Sequence, residues 1–374
     1  MEPLKNYFNE TLIEQTAAIF SRDDAGFDQA RFTEIATDGL ERLELKARVE
    51  QIMRALDATL PTDFDVFADR VLASLHKSED PSGEGLSFDG SGLMGFAAWP
   101  VTELVGKRGI AEPEKALPLL KEVTKRFTAE FAIRPFLVSH RDYTLSVLNG
   151  WVEDRNRHVR RLVSEGTRPR LPWGIRLHDF VVDPTPIMPF LAALRDDPEE
   201  YVRRSVANSL NDIAKDHPDH VSAIASDWIQ GAGRDRERLL RHACRTLIKA
   251  GHTGALDAFG YTPLDGLSCA LTIKTPHVTY GEALEFEIDL KGDAAGKPLM
   301  LDYAIHFVKA GGERTPKVFK WKDTKMNTSR LSAAKRHVIK PITTRRYYAG
   351  EHLVEVFVNG HSMASSPFVL EKPE

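Results

Sequence analysis

Three stretches of this chain are versions of one helix: Asn156–Leu162 (NRHVRRL), Glu199–Val206 (EEYVRRSV) and Arg236–Ala243 (RERLLRHA). Val159, Val202 and Leu240 hold equivalent places, 43 and 38 residues apart. Those intervals sit near the period of about 40–47 residues at which two-helix HEAT units recur. Such a pair buries its apolar face only by stacking on its neighbours, so the repeat calls for a helical solenoid with a concave face. Helical spacing also governs residues 1–75, where Leu12, Ile13, Ile19 and Phe20 recur at helical intervals and Glu34 to Leu56 reads as one long amphipathic run. Pro81–Gly95, rich in Gly, Ser and Pro, interrupts the pattern with turn chemistry, and helical periodicity resumes over residues 113–255.

After Gly260 the period changes from helical to alternating. Leu284–Leu290 (LEFEIDL) alternates apolar and acidic residues strictly, as a half-buried strand does. Ala270–Lys274, Leu299–Val308, Val318–Trp321 and Leu353–Val358 are further strands by the same reading, separated by turn signals such as Asp293 to Gly296 and Asn359-Gly360. Several short strands within about a hundred residues argue for a small sandwich of two sheets. The expected fold is therefore mainly α: a HEAT-like α-solenoid over residues 1–262, followed by a small immunoglobulin-like β-sandwich over residues 266–374.

Composition narrows the function. The net charge of −4 conceals an uneven distribution. Residues 1–90 hold 19 acids against 9 bases, whereas residues 309–346 hold 12 bases against 2 acids, and residues 150–176 carry seven arginines against three acids. A polyanion is repelled by the first segment and drawn to the other two. Basic runs also decorate solvated faces, and for residues 309–346 both readings stand. Two cysteines, Cys244 and Cys269, preclude a disulfide scaffold and a four-cysteine zinc site. No HExxH, P-loop or GxSxG occurs, and the 13 histidines show no convincing ligand spacing, so neither metal nor cofactor is implied. Asp216-His217-Pro218-Asp219-His220 reads as a surface loop that ends a helix. The first twenty residues lack the basic-then-apolar order of a secretory signal, and no apolar stretch is long enough to span a bilayer. A soluble, cytoplasmic monomer is the expectation.

The chemistry is carried by polar residues sharing helix faces. Residues four apart lie on one face. Glu122, Arg126, Glu130 and Arg134 fall at that interval, as do Arg157, Arg161 and Glu165, then Arg204, Asn208 and Asp212, then Arg241, Arg245 and Lys249. Val159, Leu162 and Val163, or Val202, Val206, Leu210 and Ile213, form the opposite, core-facing stripes. Any one ridge is explained by solvated i,i+4 Glu–Arg pairs, each worth about 0.2–0.5 kcal/mol. Four successive ridges point to phosphate, which the guanidinium fork fits bidentately. Carboxylates in a DNA groove need a compensating reason, and stabilising a cation is one.

On Gly95–Gly106 (GFAAWPVTELVG), Ser164–Trp173 (SEGTRPRLPW) and Tyr201–Pro218 (YVRRSVANSLNDIAKDHP), the chain resembles the AlkC/AlkD family of DNA alkylation-repair glycosylases, the AlkC branch more closely. The resemblance implies a HEAT-like cradle for double-stranded DNA and excision of cationic N3-alkylated bases, such as 3-methyladenine and 3-methylcytosine, without the base flipping most glycosylases use. It also implies Glu130, Glu165 and Asp212 as the acids and Trp173 as an aromatic wall, the same three carboxylates the ridges single out. The AlkD branch pairs two tryptophans around its lesion; here Trp173 stands alone beside the carboxylates. An N3-alkylated base already carries positive charge and leaves as a neutral molecule without a general acid. The demand falls on the oxocarbenium ion left on the sugar, which fixed negative charge stabilises. Glu165 and Asp212 are assigned that role, with Glu130 third.

Arg157, Arg161, Arg168, Arg170, Arg204, Asn208, Arg241 and Arg245 are expected to bind DNA, and Lys320 and Lys322 to reach it from the sandwich. Lys325, Arg330, Arg345 and Arg346 belong to the same basic segment, while Trp99, Phe96, Tyr347 and Tyr348 are read as packing residues. The rival reading is a non-enzymatic HEAT-repeat scaffold or DNA-structure-binding protein, which has no need of carboxylates in the groove.

Overall fold

A computed structural model of the protein describes residues 3–79, 90–342 and 345–371. Residues 81–89 of the Gly/Ser/Pro-rich stretch lie outside the described residues. The chain divides into two compact units, Met1–Asp216 and His217–Glu374.

The first unit is helical: α1 (Glu10–Asp23), α2 (Gln29–Thr37), α3 (Leu45–Thr59), α4 (Phe64–Ser74), α5 (Trp99–Arg108), α6 (Pro113–Thr124), α7 (Arg134–Ser139), α8 (Arg141–Asn149), α9 (Arg157–Gly166), α10 (His178–Val182), α11 (Met188–Leu194) and α12 (Glu200–Ile213). Side-chain caps start several of them. Asn9 accepts from the Leu12 amide, Asp28 from Arg31, Asp63 from Asp65 and Val66, and Asn156 from His158. Pro113 opens α6, where its missing N–H has no intrahelical partner to lose. Glu34 to Leu56 is not one helix: α2 stops at Thr37, and Gly39 turns the chain at φ +65° before α3 begins.

Helix α9 packs on α6, α11 and α12, so the first two repeat helices, α9 and α12, stack on each other. Val159 and Val202 are fully buried at the centre of that stack, and in the second unit Leu240, on its own helix, is buried in the same way. The turn between α6 and α7 is pinched between two glycines. A Cβ on Gly106 of α5 would meet the Ala132 carbonyl oxygen at 2.9 Å, and one on Gly166 of α9 would meet the Ile133 Cγ2 at 2.7 Å. That close approach brings Glu130 up to α9.

The second unit opens with α13 (Pro218–Trp228), α14 (Arg234–Ala243), α15 (Arg245–Lys249) and α16 (Thr253–Ala258). Asp216 to His220 therefore leads into a helix beginning at Pro218. Among the described residues eight strands follow: β1 (Ser268–Ile273), β2 (His277–Thr279), β3 (Ala283–Lys291), β4 (Pro298–Val308), β5 (Arg314–Lys325), β6 (Arg330–Val338), β7 (Gly350–Val358) and β8 (His361–Glu371). They form sheets ordered β1-β3-β6 and β2-β8-β7-β4-β5, antiparallel except where β2 runs parallel to β8. Alternate residues of β3, Leu284, Phe286, Ile288 and Leu290, enter the core against Leu301, Tyr303 and Ile305 of β4 and Val354, Val356 and Phe368 of the neighbouring strands. Each such side chain contributes about 1.5–3 kcal/mol by leaving water. The far side of β4 is also covered, with Met300 packed against Leu256 and Tyr261, which is why Leu299–Val308 reads as an apolar run. Asn359-Gly360 makes the β7–β8 turn with both residues at positive φ, +49° and +79°. Asn359 is buried, accepting from the Met300 amide at 2.8 Å and donating to the Thr262 carbonyl at 2.8 Å.

Candidate active site

The buried stripe of α9 (Val159, Leu162, Val163) leaves Arg161 and Glu165 on a face of their own. That face meets α12, where the Ser164 hydroxyl donates to the Ser205 hydroxyl at 2.7 Å. Asp212, in the last turn of α12, is thereby brought close to Glu165. After α9 the chain turns, and Arg168 swings its guanidinium between the two acids. Its Nη1 donates to Glu165 Oε1 at 2.6 Å and its Nε to Asp212 Oδ2 at 2.8 Å. Arg161 continues the series, with Nη1 donating to Glu130 Oε2 at 2.6 Å and Nη2 lying 3.5 Å from Glu165 Oε1. Thr128 donates to Glu130 Oε2 at 2.8 Å, and Lys215 Nζ lies 3.1 Å from Asp212 Oδ1.

Glu130, Glu165 and Asp212 thus belong to one connected array in which acid and base alternate. Glu165 and Asp212 are only 5% and 2% exposed, so their charges are shielded from water. Burial pushes the Glu165 carboxyl up, but the charges of Arg161 and Arg168 and the hydrogen bonds of Ser205 and Arg168 outweigh it and hold the group below the ordinary carboxylate value. Glu165 is an anion at neutral pH.

Glu130 reaches the array by a different route from the one its spacing suggests. Helix α6 ends at Thr124, and Glu130 sits in the turn before α7, so Glu122, Arg126, Glu130 and Arg134 do not form one ridge. The Thr124 hydroxyl accepts from the Ala129 amide and helps shape that turn. Similarly, Arg241 and Arg245 belong to two helices broken at Cys244.

The residues expected to face phosphate separate into groups. Arg161 and Arg168 are directed at carboxylates; Arg168, 7% exposed, has its guanidinium occupied by two of them. The reason is proximity: an arginine three or four residues from a packed glutamate finds that carboxylate and one on a neighbouring segment, Glu130 in the α6–α7 turn or Asp212 on α12. Arg157 pairs with Glu199 at 3.4 Å, Arg170 bidentately with Asp216 at 2.8 and 2.6 Å, and Arg204, well exposed, with Glu200. Asn208 lies on α12 between Arg204 and Asp212. In the second unit Arg241, Arg245, Lys249, Lys317 and Lys320 line one cavity of about 460 Å³, and Lys322 is exposed on the same strand as Lys320.

Trp173 is 63% exposed and adopts φ +65°, a left-handed conformation that is a genuine outlier for a bulky residue. It lines a cavity of about 310 Å³ with Lys46, Trp99, Glu103 and Phe131. Trp99 is a core residue, stacked on Phe127 and Phe131, and Tyr347 packs on Phe307 and Tyr280. Thr128, Ser205 and Lys46 escape the sequence reading, and Arg134 enters it only as a member of a polar ridge. Only their spatial neighbours mark them, since Thr128 lies outside any helix and Arg134, an arginine, is fully buried.

Among the described residues no cluster of His, Cys, Asp or Glu is arranged to hold a metal ion, and no helix is long and apolar enough to cross a membrane.

Comparison with known proteins bears on this geometry. A family model described as "Uncharacterised protein YhaZ, C-terminal Ig-like domain" matches residues 268–372. The protein YhaZ of Bacillus subtilis (strain 168) is 36% identical over 371 residues, covering 98% of this chain and 99% of that one. A solved structure of the Pseudomonas fluorescens alkylpurine DNA glycosylase AlkC, bound to DNA containing an abasic site analog, superposes with a TM-score of 0.84 at 33% identity, over 99% of this chain and all of that one. Likeness along the full length of both chains, at these identities, means that the chain belongs to the AlkC/YhaZ family.

Proposed function

We propose that the protein is an alkylpurine-type DNA glycosylase, hydrolysing the N-glycosidic bond of cationic N3-alkylated bases in duplex DNA. The observation that carries this reading is the sharing of one guanidinium by Glu165 and Asp212, in a chain whose whole length matches a DNA-bound alkylpurine glycosylase. Bond cleavage releases the base as a neutral molecule and leaves positive charge on C1′ and the ring oxygen of the sugar. Carboxylates fixed beforehand stabilise that charge without reorganising, and their shelter from water strengthens the effect. Arg161 and Arg168 hold the acids in place and keep Glu165 ionised. One of Glu165 and Asp212 stabilises the cation while the other orients the attacking water, with Glu130 supporting through Arg161. Trp173 offers an exposed electron-rich ring to a cationic sugar or base, an interaction worth about 0.5–2 kcal/mol. Its outlying backbone fits such a role, because strained residues gather at functional sites. Phosphate contact falls to the exposed cations, Arg204, Lys320 and Lys322 among them.

The test is release of free 3-methyladenine and 3-methylcytosine from methylated duplex, with no metal or nucleotide added. Excision well above the no-enzyme rate is expected. Excision at the background rate with tight DNA binding would leave a non-catalytic DNA-structure binder, and loss of both would leave a scaffold.

A further inference from the structure

Arg134 is the largest side chain with no exposure at all. Burying a guanidinium is expensive unless its hydrogen bonds are made. Here Nη1 donates to the Gly166 carbonyl at 2.8 Å and Nε to the Ile175 carbonyl at 2.7 Å, while Nη2 has no partner among the described residues. Burial, then the charge of Arg168, pull its pKa down to about 10, with Glu130, Asp212 and Glu165 acting in the opposite direction. The two bonds its guanidinium makes go to backbone carbonyls rather than to those acids.

These bonds connect specific places. Gly166 follows Glu165 at the end of α9, and Ile175 lies two residues beyond Trp173. Between them Gly174 rests on the arginine, since a Cβ there would meet Arg134 Nε at 3.2 Å and Cδ at 3.3 Å. From the outer side Lys46 donates its ammonium to the Trp173 carbonyl. Trp173 itself is mostly in solvent, so packing of its ring does not hold its backbone at positive φ. A strained conformation persists only when its surroundings over-determine it.

Resting on the reading of Trp173 given above, we propose that Arg134 is a positioning residue that ties the Trp173 turn to the end of α9, with Lys46 as the outer clasp, so that the ring is preset relative to Glu165. Arg134 touches no substrate and acts through the two carbonyls it holds. A lysine at 134 keeps the charge but lacks the fork needed to reach both.

Two readouts test this separately. The first needs no activity: iodide quenching of Trp173 fluorescence, taken as the difference between each variant and the same variant carrying Trp173→Phe. Arg134→Lys and Gly174→Ala are both expected to change the accessibility of Trp173, and Lys46→Met to change it less. Unchanged quenching in a folded Arg134→Lys protein overturns the clasp whatever the enzyme does. The second is a double-mutant cycle on single-turnover excision. Arg134→Lys is expected to slow excision about tenfold in the parent, by analogy with lost positioning of a catalytic group. In the Trp173→Ala background it is expected to add less than about twofold, as coupled residues do. Equal slowing in both backgrounds assigns Arg134 a merely structural role and overturns the proposal. Should Arg134→Lys fail to fold, Gly174→Ala, which disturbs the same contact from the other side, carries both readouts.

Discussion

The helical unit and the sandwich use positive charge in opposite ways. In the first, Arg168 is buried and Arg161 partly buried among carboxylates, and their fork-shaped donors are already engaged. In the second, Lys317, Lys320, Lys322 and Lys325 are exposed along β5, an outer strand of its sheet, while the arginines of β6, Arg330 and Arg336, pair with Asp289 and Glu285 of β3. Arginine suits the first setting because its planar fork can satisfy two oxygens at once, and lysine the second because it is a mobile, strongly hydrated point charge. The difference separates two jobs that one count of basic residues merges. Buried arginines organise acids, and exposed lysines remain available to a polyanion. Lysines on outer strands also prevent edge-to-edge sheet pairing, so their charge has a structural use even without DNA.

The largest effect should come from the buried side. Asp212→Asn removes a charge while keeping the shape and is expected to cut excision by about 100–1000-fold, the usual effect of losing one preorganised electrostatic partner. Duplex affinity should hold or improve, because a carboxylate that repels phosphate is gone. Single-turnover kinetics beside a binding isotherm decide this, and unchanged excision removes Asp212 from the mechanism. Next, Lys320→Ala with Lys322→Ala should weaken DNA binding across all sequences. The slope of log affinity against log salt should fall by about 0.9 for each phosphate that is no longer neutralised. If that slope stays at the parent value while Arg168→Met lowers it, the contrast between the two regions is wrong.

The smallest effects are in pH, and they fall in different windows. Burial, followed by the charges of Lys335 and Arg345, holds His337 of β6 down at about 4, from an ordinary 6.5. The unfolded chain therefore takes up the proton first. The stability His337 supplies is complete above about 6.5 and drains away as pH falls toward 4. Glu165 is depressed below its ordinary 4.5, so its contribution is complete above that value and is lost only at lower pH. Thermal unfolding followed from pH 7 downward should show His337→Gln flattening the earlier loss and Glu165→Gln the later one. Identical profiles for the two variants would erase the distinction.

Much of this architecture is legible in residue order, and the exceptions have physical causes. Helices α9 and α12 reveal their polar faces because helical geometry converts i,i+4 spacing directly into proximity, and β3 reveals itself by strict alternation. Spacing marks Glu130 as a site residue but puts it on a helix that ends six residues earlier, since nothing local marks Thr124 as a stop until its hydroxyl is seen bonded to Ala129. Strand β6 is hidden because its inward positions are Leu331, Ala333, Lys335 and His337, a sequence without an apolar stripe. Strand β8 carries Ser365, Ser366 and Pro367, residues that favour turns and interrupt any alternating apolar pattern. Arg134 falls on a polar ridge by its spacing, because arginine is almost never fully interior without an ionic partner.

The side chain of Asn359 has one further implication. Its amide joins the hairpin tip to Thr262, six residues upstream of the first strand, and to Pro298 and Met300, while Gly360 approaches Leu256 and Gly251 so closely that no Cβ fits there. A fragment cut at Ser268 would lose Thr262, Leu256 and Gly251, leaving the Asn359 amide only the longer 3.3 Å bond to the Pro298 carbonyl and one flank of β4 wet. The piece that can be inherited, swapped or expressed intact is therefore longer than its strands: it must carry the short helices that precede them.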